Sequence, residues 1–177
     1  MRRALLALPL FAAAACGSDG SPWFPKDLDT DQLISEASGA GAAKACQAFE
    51  DYLYAQYRDS LLVEAVCTAF GIDQTNDAAA CGAYVADCTA NPPAGVSSTI
   101  DSIVDATGCG GLTYQPTGCA RTLADLAACL DAAEAELKRL RLTLECTAAG
   151  QPLPPDALTP ATPPACLALE AACPTAG

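Results

Sequence analysis

Eleven cysteines in 177 residues constrain this chain more than any other feature. The number is odd, so at least one cysteine has no partner within the chain. With Cys16 set aside, ten remain: Cys46, Cys67, Cys81, Cys88, Cys109, Cys119, Cys129, Cys146, Cys166 and Cys173. An even set in an exported chain reads as a disulfide framework, here of up to five bridges.

The pattern around these cysteines is helical. In "AAKACQAFEDYLYAQY", Cys46, Phe49, Leu53 and Tyr57 fall at steps of three and four, one face of a helix. Asp59 and Ser60 are expected to break and recap it before "LLVEAVCTAF", which Gly71 closes. Asn76 or Asp77 caps "AAACGAYVADC", and "NPP" stops that helix at Asn91. In "SSTIDSIVDATG", Ser98 and Asp101 have capping-box spacing and Gly108 terminates. From Thr122, Leu123, Leu126, Leu130, Ala133, Leu137, Leu140 and Leu144 form an apolar seam that spans three heptads. Its acidic residues lie toward the start, and Lys138, Arg139 and Arg141 toward the end, as the helix dipole favours. "GQPLPPDALTPATPP" holds six prolines and reads as an extended linker before a last short helix, "ACLALEAAC".

The expected fold class is therefore all-α, a disulfide-stapled helical bundle. Cys46, Cys67, Cys81 and Cys88 sit at offsets 0, 21, 35 and 42, and Cys129, Cys146, Cys166 and Cys173 at 0, 17, 37 and 44. Both sets end with cysteines seven apart on a short helix before a proline, which suggests two duplicated helical units. The expected organisation is 1–15 signal peptide, 16–28 tether, 29–93 first unit, 94–121 connector and 122–177 second unit.

Geometry limits the pairing. Cysteines seven apart on a helix stand about 10 Å apart, beyond the roughly 7 Å Cα reach of a disulfide. Cys81 cannot bond Cys88, nor Cys166 bond Cys173, so each short helix is a rung stapled twice to other elements. A straight helix would also put Cys129 and Cys146 about 25 Å apart. Either the long helix ends before Cys146, or Cys129 pairs outside its unit, with Cys109 or Cys119 as candidates. Connectivity stays open at this point.

The chemistry available is narrow. There is no histidine, which removes Ser-His-Asp and Cys-His catalysis and histidine metal sites. No Cys-x-x-Cys occurs, so thioredoxin-like exchange has no anchor. Glu134 and Glu136, two apart on a helix, point different ways and read as a solvated face. "DLDTDQLISEAS" places Asp27, Asp29 and Asp31 at positions 1, 3 and 5 of a calcium-loop pattern. Gln32 stands where that pattern needs glycine and Ser38 where it needs glutamate, so the favoured reading is an acidic helix N-terminus near Thr30. The cysteines could instead act as thiolates for copper(I), which soft sulfur ligands select. Against that stand an oxidising compartment and cysteines that are spread rather than clustered.

The N-terminus supplies the compartment. "MRR" followed by "ALLALPLFAAAA" is a secretory signal peptide, too short to span a bilayer. Its end, "AAAAC", resembles the lipobox of bacterial lipoproteins, with Ala13 where the commonest form has leucine. The resemblance implies cleavage before Cys16 and acylation of that cysteine. The same alanines satisfy ordinary signal peptidase, which would leave Cys16 a bare N-terminal thiol. Gly17, in place of aspartate, favours the outer membrane by analogy with enteric bacteria. "GSDGSPWFPK" reads as tether, with Trp23 and Phe24 expected to pack on the body rather than touch lipid.

Without Arg2 and Arg3 the exported chain has seven basic and 21 acidic side chains, a net charge of −14. Nucleic acid and anionic lipid surfaces are therefore expected to repel it, and no nucleic-acid partner is expected. The body resembles the alanine- and cysteine-rich helical lipoproteins of myxobacteria, a group with no assigned activity, and that resemblance implies a location rather than a mechanism. The expectation is a lipid-anchored, non-enzymatic envelope protein, structural or interaction-mediating, with no cofactor and with the membrane as a partner through its anchor. The alternative is a thiol-based copper-binding protein of the envelope.

Overall fold

The computed structural model describes residues 21–111 and 118–173; the lipobox and Cys16 lie outside them. The fold is all-α and disulfide-stapled. Six helices follow one another among the described residues: α1 (Ala40–Tyr57), α2 (Val63–Gln74), α3 (Ala78–Ala90), α4 (Ala94–Thr107), α5 (Leu123–Thr143) and α6 (Pro164–Ala172). The nearest approach to a sheet among these residues is an isolated bridge between Leu33 and Thr122.

The apolar seam builds the centre. Leu123, Leu126, Leu130, Ala133, Leu137 and Leu140 of α5 are all buried, and α1 and α6 pack on them. Leu144 lies just past the helix end and is half-buried. Thr122 and Asp125 cap α5 reciprocally: the Thr122 N–H donates to the Asp125 carboxylate at 3.0 Å, and the Asp125 N–H to the Thr122 hydroxyl at 3.3 Å. Two further N–H groups that the helix start leaves without partners, those of Leu123 and Ala124, donate to the carbonyls of Gln32 and Thr30, both at 2.9 Å. Residues 30–34 are thus a run of turns around the isolated bridge residue Leu33 that closes the end of α5, and the helix start expected near Thr30 is not found there.

The core face of α1 is Ala42, Ala45, Phe49 and Leu53, spaced by three and four. Its end is not broken and recapped at Asp59 and Ser60. The chain stays helical through a π segment, Arg58–Leu62, and the Ser60 hydroxyl bonds back to the Gln56 carbonyl. Gly71 does not close α2, which continues to Gln74. Its role is proximity: a Cβ there would lie 3.1 Å from Cys81 Sγ and 3.3 Å from the Tyr84 ring, so the hydrogen lets α3 close on α2. Asp77 caps α3 by accepting from the Ala79 and Ala80 N–H groups, and Asn91 ends it. Helix α4 starts at Ala94 behind Pro93, four residues ahead of the expected cap. Ser98 therefore sits inside it and bonds the Gly95 carbonyl, while Gly108 terminates as expected.

All ten body cysteines are paired: Cys46–Cys109, Cys67–Cys88, Cys81–Cys146, Cys119–Cys173 and Cys129–Cys166. Each short helix is a rung with two partners. Helix α3 is bolted to α2 and to the short turn Cys146–Ala148, and α6 to α5 and to Cys119. The distance conflict within the second set resolves because α5 ends at Thr143, so Cys146 leaves the helix line. The duplication is not carried by the bridges. In the first set the internal bond joins the second and fourth cysteines, in the second set the first and third, and Cys81–Cys146 crosses between them.

Trp23, in the segment expected to be tether, is buried in the core against Phe49, with ring centroids 4.9 Å apart. No described helix is long and apolar enough to cross a membrane. Because α6 is held to α5 by Cys129–Cys166, replacing both cysteines with alanine should cost about 2–4 kcal/mol in denaturant unfolding without reductant. The Asp77→Ala cap variant, as a yardstick, should cost about 1 kcal/mol.

Candidate functional site

The one charged side chain among the described residues that is buried is Glu134, in the middle of α5. It was expected on a solvated face, and the structure corrects that. Glu134 lies between Leu130 and Leu137 at helical steps of four and three, on the inward side of the seam. Its partner Glu136 is the one that turns outward, paired with Arg139 at 2.7 Å. The pattern could have shown this, since Leu130, Ala133, Glu134 and Leu137 make an i, i+3, i+4, i+7 set.

Three donors converge on Glu134 Oε1. The Tyr52 hydroxyl donates at 2.8 Å, the Tyr57 hydroxyl also donates, and Lys138 Nζ stands at 3.0 Å. Lys138 further lies 5.7 Å from the Tyr57 ring centroid, in cation–π range. The site is reached by a line of aromatic rings: Phe24 against Trp23, Trp23 against Phe49, Phe49 against Tyr52, and Tyr52 edge-on to Tyr57. Helix α1 supplies the two tyrosines and α5 the carboxylate, so the cluster is a polar bolt between these helices.

Its electrostatics follow from this wiring. Burial works to raise the Glu134 pKa, but the hydrogen bonds from Tyr57, Lys138 and Tyr52 and the Lys138 charge outweigh it, and the carboxyl is held below the ordinary glutamate range. Burial, followed by hydrogen bonding to Tyr57 and Glu134, pushes the Tyr52 phenol well above the ordinary tyrosine range. Burial and Glu134 push Tyr57 in the same direction. A general acid or base working near neutrality needs a pKa moved toward 7. Here the carboxyl is moved down and both phenols up, which suits a permanent hydrogen-bond acceptor and its donors.

A second carboxylate behaves in the opposite way. Burial first, then the charges of Asp105 and Asp51, raise the Glu50 pKa, against a hydrogen bond from the Cys109 backbone. It lies beside the Cys46–Cys109 bridge.

The other expected residues separate. Asp27 pairs with Lys44, whose hydrogen bond and charge hold its carboxyl below the ordinary range. Asp29 accepts from the Asp31 N–H at 3.0 Å, closing its own turn. The three aspartates do not converge, and among the described residues no group of three His, Cys, Asp or Glu side chains is arranged to hold a metal ion. With their sulfurs in disulfides, the ten body cysteines offer no thiolate in this state. A cavity of about 370 Å³ lies where the proline-rich segment crosses the end of α5, lined by Ile72, Thr143, Leu144, Ala148, Pro152 and Leu153 among others, with no titratable side chain.

The chain matches no protein-family model, no curated protein and no solved structure.

Glu134→Gln tests the bolt. The folded carboxyl binds its proton more weakly than the unfolded one. Its contribution is thus complete above the unfolded value, near 4.3, and lost as pH falls through the lower folded value. At pH 7 the variant should be less stable by about 1.5–3 kcal/mol. The gap to the native chain should narrow as unfolding is measured from pH 6 down toward pH 3, and a gap that does not change with pH would contradict the assignment.

Proposed function

We propose that this is an exported lipoprotein whose disulfide-stapled helical body acts without catalysis, as a structural or interaction module held on the bacterial envelope through acylated Cys16. The observation that carries the reading is the cysteine balance. Ten of eleven cysteines are consumed in five bridges, and the one left over directly follows the apolar leader. Five bridges belong to an oxidising, extracytoplasmic compartment. Several acyl chains on one cysteine give durable attachment, where a single chain would be marginal. The outer membrane is the proposed destination, since Gly17 is not the aspartate that retains lipoproteins in enteric inner membranes.

The non-enzymatic part rests on the buried carboxylate cluster, whose groups are shifted away from working pKa values, and on a sequence without histidine. The copper alternative needs free thiolates, which the oxidised body does not offer.

Protein taken from its own membranes, denatured without reduction and treated with a thiol-alkylating reagent, should show a chain that begins at Cys16, carries acyl mass and gains no alkyl groups. Cys16→Ala should release the body from the membrane fraction in folded form. An unacylated native chain, or one that takes up many alkyl groups, would overturn the proposal.

A further inference from the structure

We infer that the anchor holds the body close to the bilayer, with the middle of α5 and the entering chain at Ser21 and Pro22 as the side nearest the lipid. This rests on the acylation of Cys16 proposed above. Two side chains fix the point at which the chain enters the body. The Ser21 hydroxyl donates to Asp131 Oδ2, and the Trp23 indole N–H to Asp131 Oδ1 at 2.8 Å. Trp23 is itself buried against Phe49, so this entry point cannot slide without opening the core.

The chain between lipid and body is short. Cys16 and Ser21 are five residues apart, and a fully extended chain covers at most about 3.6 Å per residue, so Ser21 stays within about 18 Å of the acylated cysteine. Asp131 lies near the middle of α5, which turns the side of that helix, rather than one of its ends, toward the lipid. Ala128 and Ala135, three before and four after Asp131, share its face, and both are exposed along with Pro22. These small side chains project little and let the surface approach. Charge does not hold the body there, because without Arg2 and Arg3 the chain has seven basic and 21 acidic side chains and is repelled by anionic lipid. The short covalent reach does, so a longer tether should release the body.

Trp23 is the only tryptophan of the chain and serves as a built-in energy donor. The acylated protein is placed in vesicles of phosphatidylethanolamine and phosphatidylglycerol with a trace of dansyl-labelled lipid. Its transfer is compared with that of a variant carrying about 24 additional Gly/Ser residues between Gly20 and Ser21, a span of roughly 27 Å. Transfer at least about twofold stronger in the native chain is expected. Equal transfer in two chains that both sediment with the vesicles would overturn this close placement and leave the anchor standing. A native chain that does not sediment would remove the anchor, and this inference with it.

Discussion

Two short helices that cannot hold their own place set the terms for this fold. Helix α6 has nine residues and α3 has thirteen, much of it alanine. Helices of that length are marginal in water, and alanine buries little surface on docking. Helix α3 carries two cysteines seven apart, and α6 carries Cys166 with Cys173 directly after its end, so within each pair the two are too far apart to bond each other and need outside partners. The structure meets that demand with α2 and the Cys146 turn for α3, and with α5 and Cys119 for α6. The remaining bridge, Cys46–Cys109, ties α1 to the turn that follows α4.

Around these bolts, α5 serves as the spine. Its apolar face receives α1 and α6, and its polar groups do the rest of the fastening. Asp131 receives the entering chain through Ser21 and Trp23, and Glu134 receives α1 through Tyr52 and Tyr57. Two acidic side chains one helical turn apart thus fix the N-terminal segment and the first helix to the same element. The turns at residues 30–34 close the end of that element with the backbone carbonyls of Thr30 and Gln32.

Much of this was legible in the sequence because it depends on local rules. The α5 seam, the Asp77 cap, the stop at Asn91, the terminator Gly108 and the impossibility of Cys81–Cys88 all follow from spacing and capping chemistry within a few residues. What could not be read depends on partners far along the chain. Glycine at position 71 reads as a helix end, and only the approach of Cys81 and Tyr84 shows it as a contact point within α2. The acidic residues at 27–31 suggest a helix start, but the chain there is committed to capping a helix that begins more than ninety residues later. The i, i+2 relation of Glu134 to Glu136 suggests a solvated face, while its i, i+4 relation to Leu130 puts it on the inward side of the seam. The pairing of the cysteines was beyond spacing alone, since four of the five bridges join residues 37 or more apart.

The central claim is that two short helices are each bolted to two separate elements, with one bond, Cys81–Cys146, crossing between the two cysteine sets. Proteolysis of the unreduced protein followed by mass spectrometry of the linked peptides tests it most directly. The account predicts the linked pairs Cys46–Cys109, Cys67–Cys88, Cys81–Cys146, Cys119–Cys173 and Cys129–Cys166. A peptide linking Cys81 to Cys88 or Cys166 to Cys173, or bridges confined to each cysteine set, would contradict it.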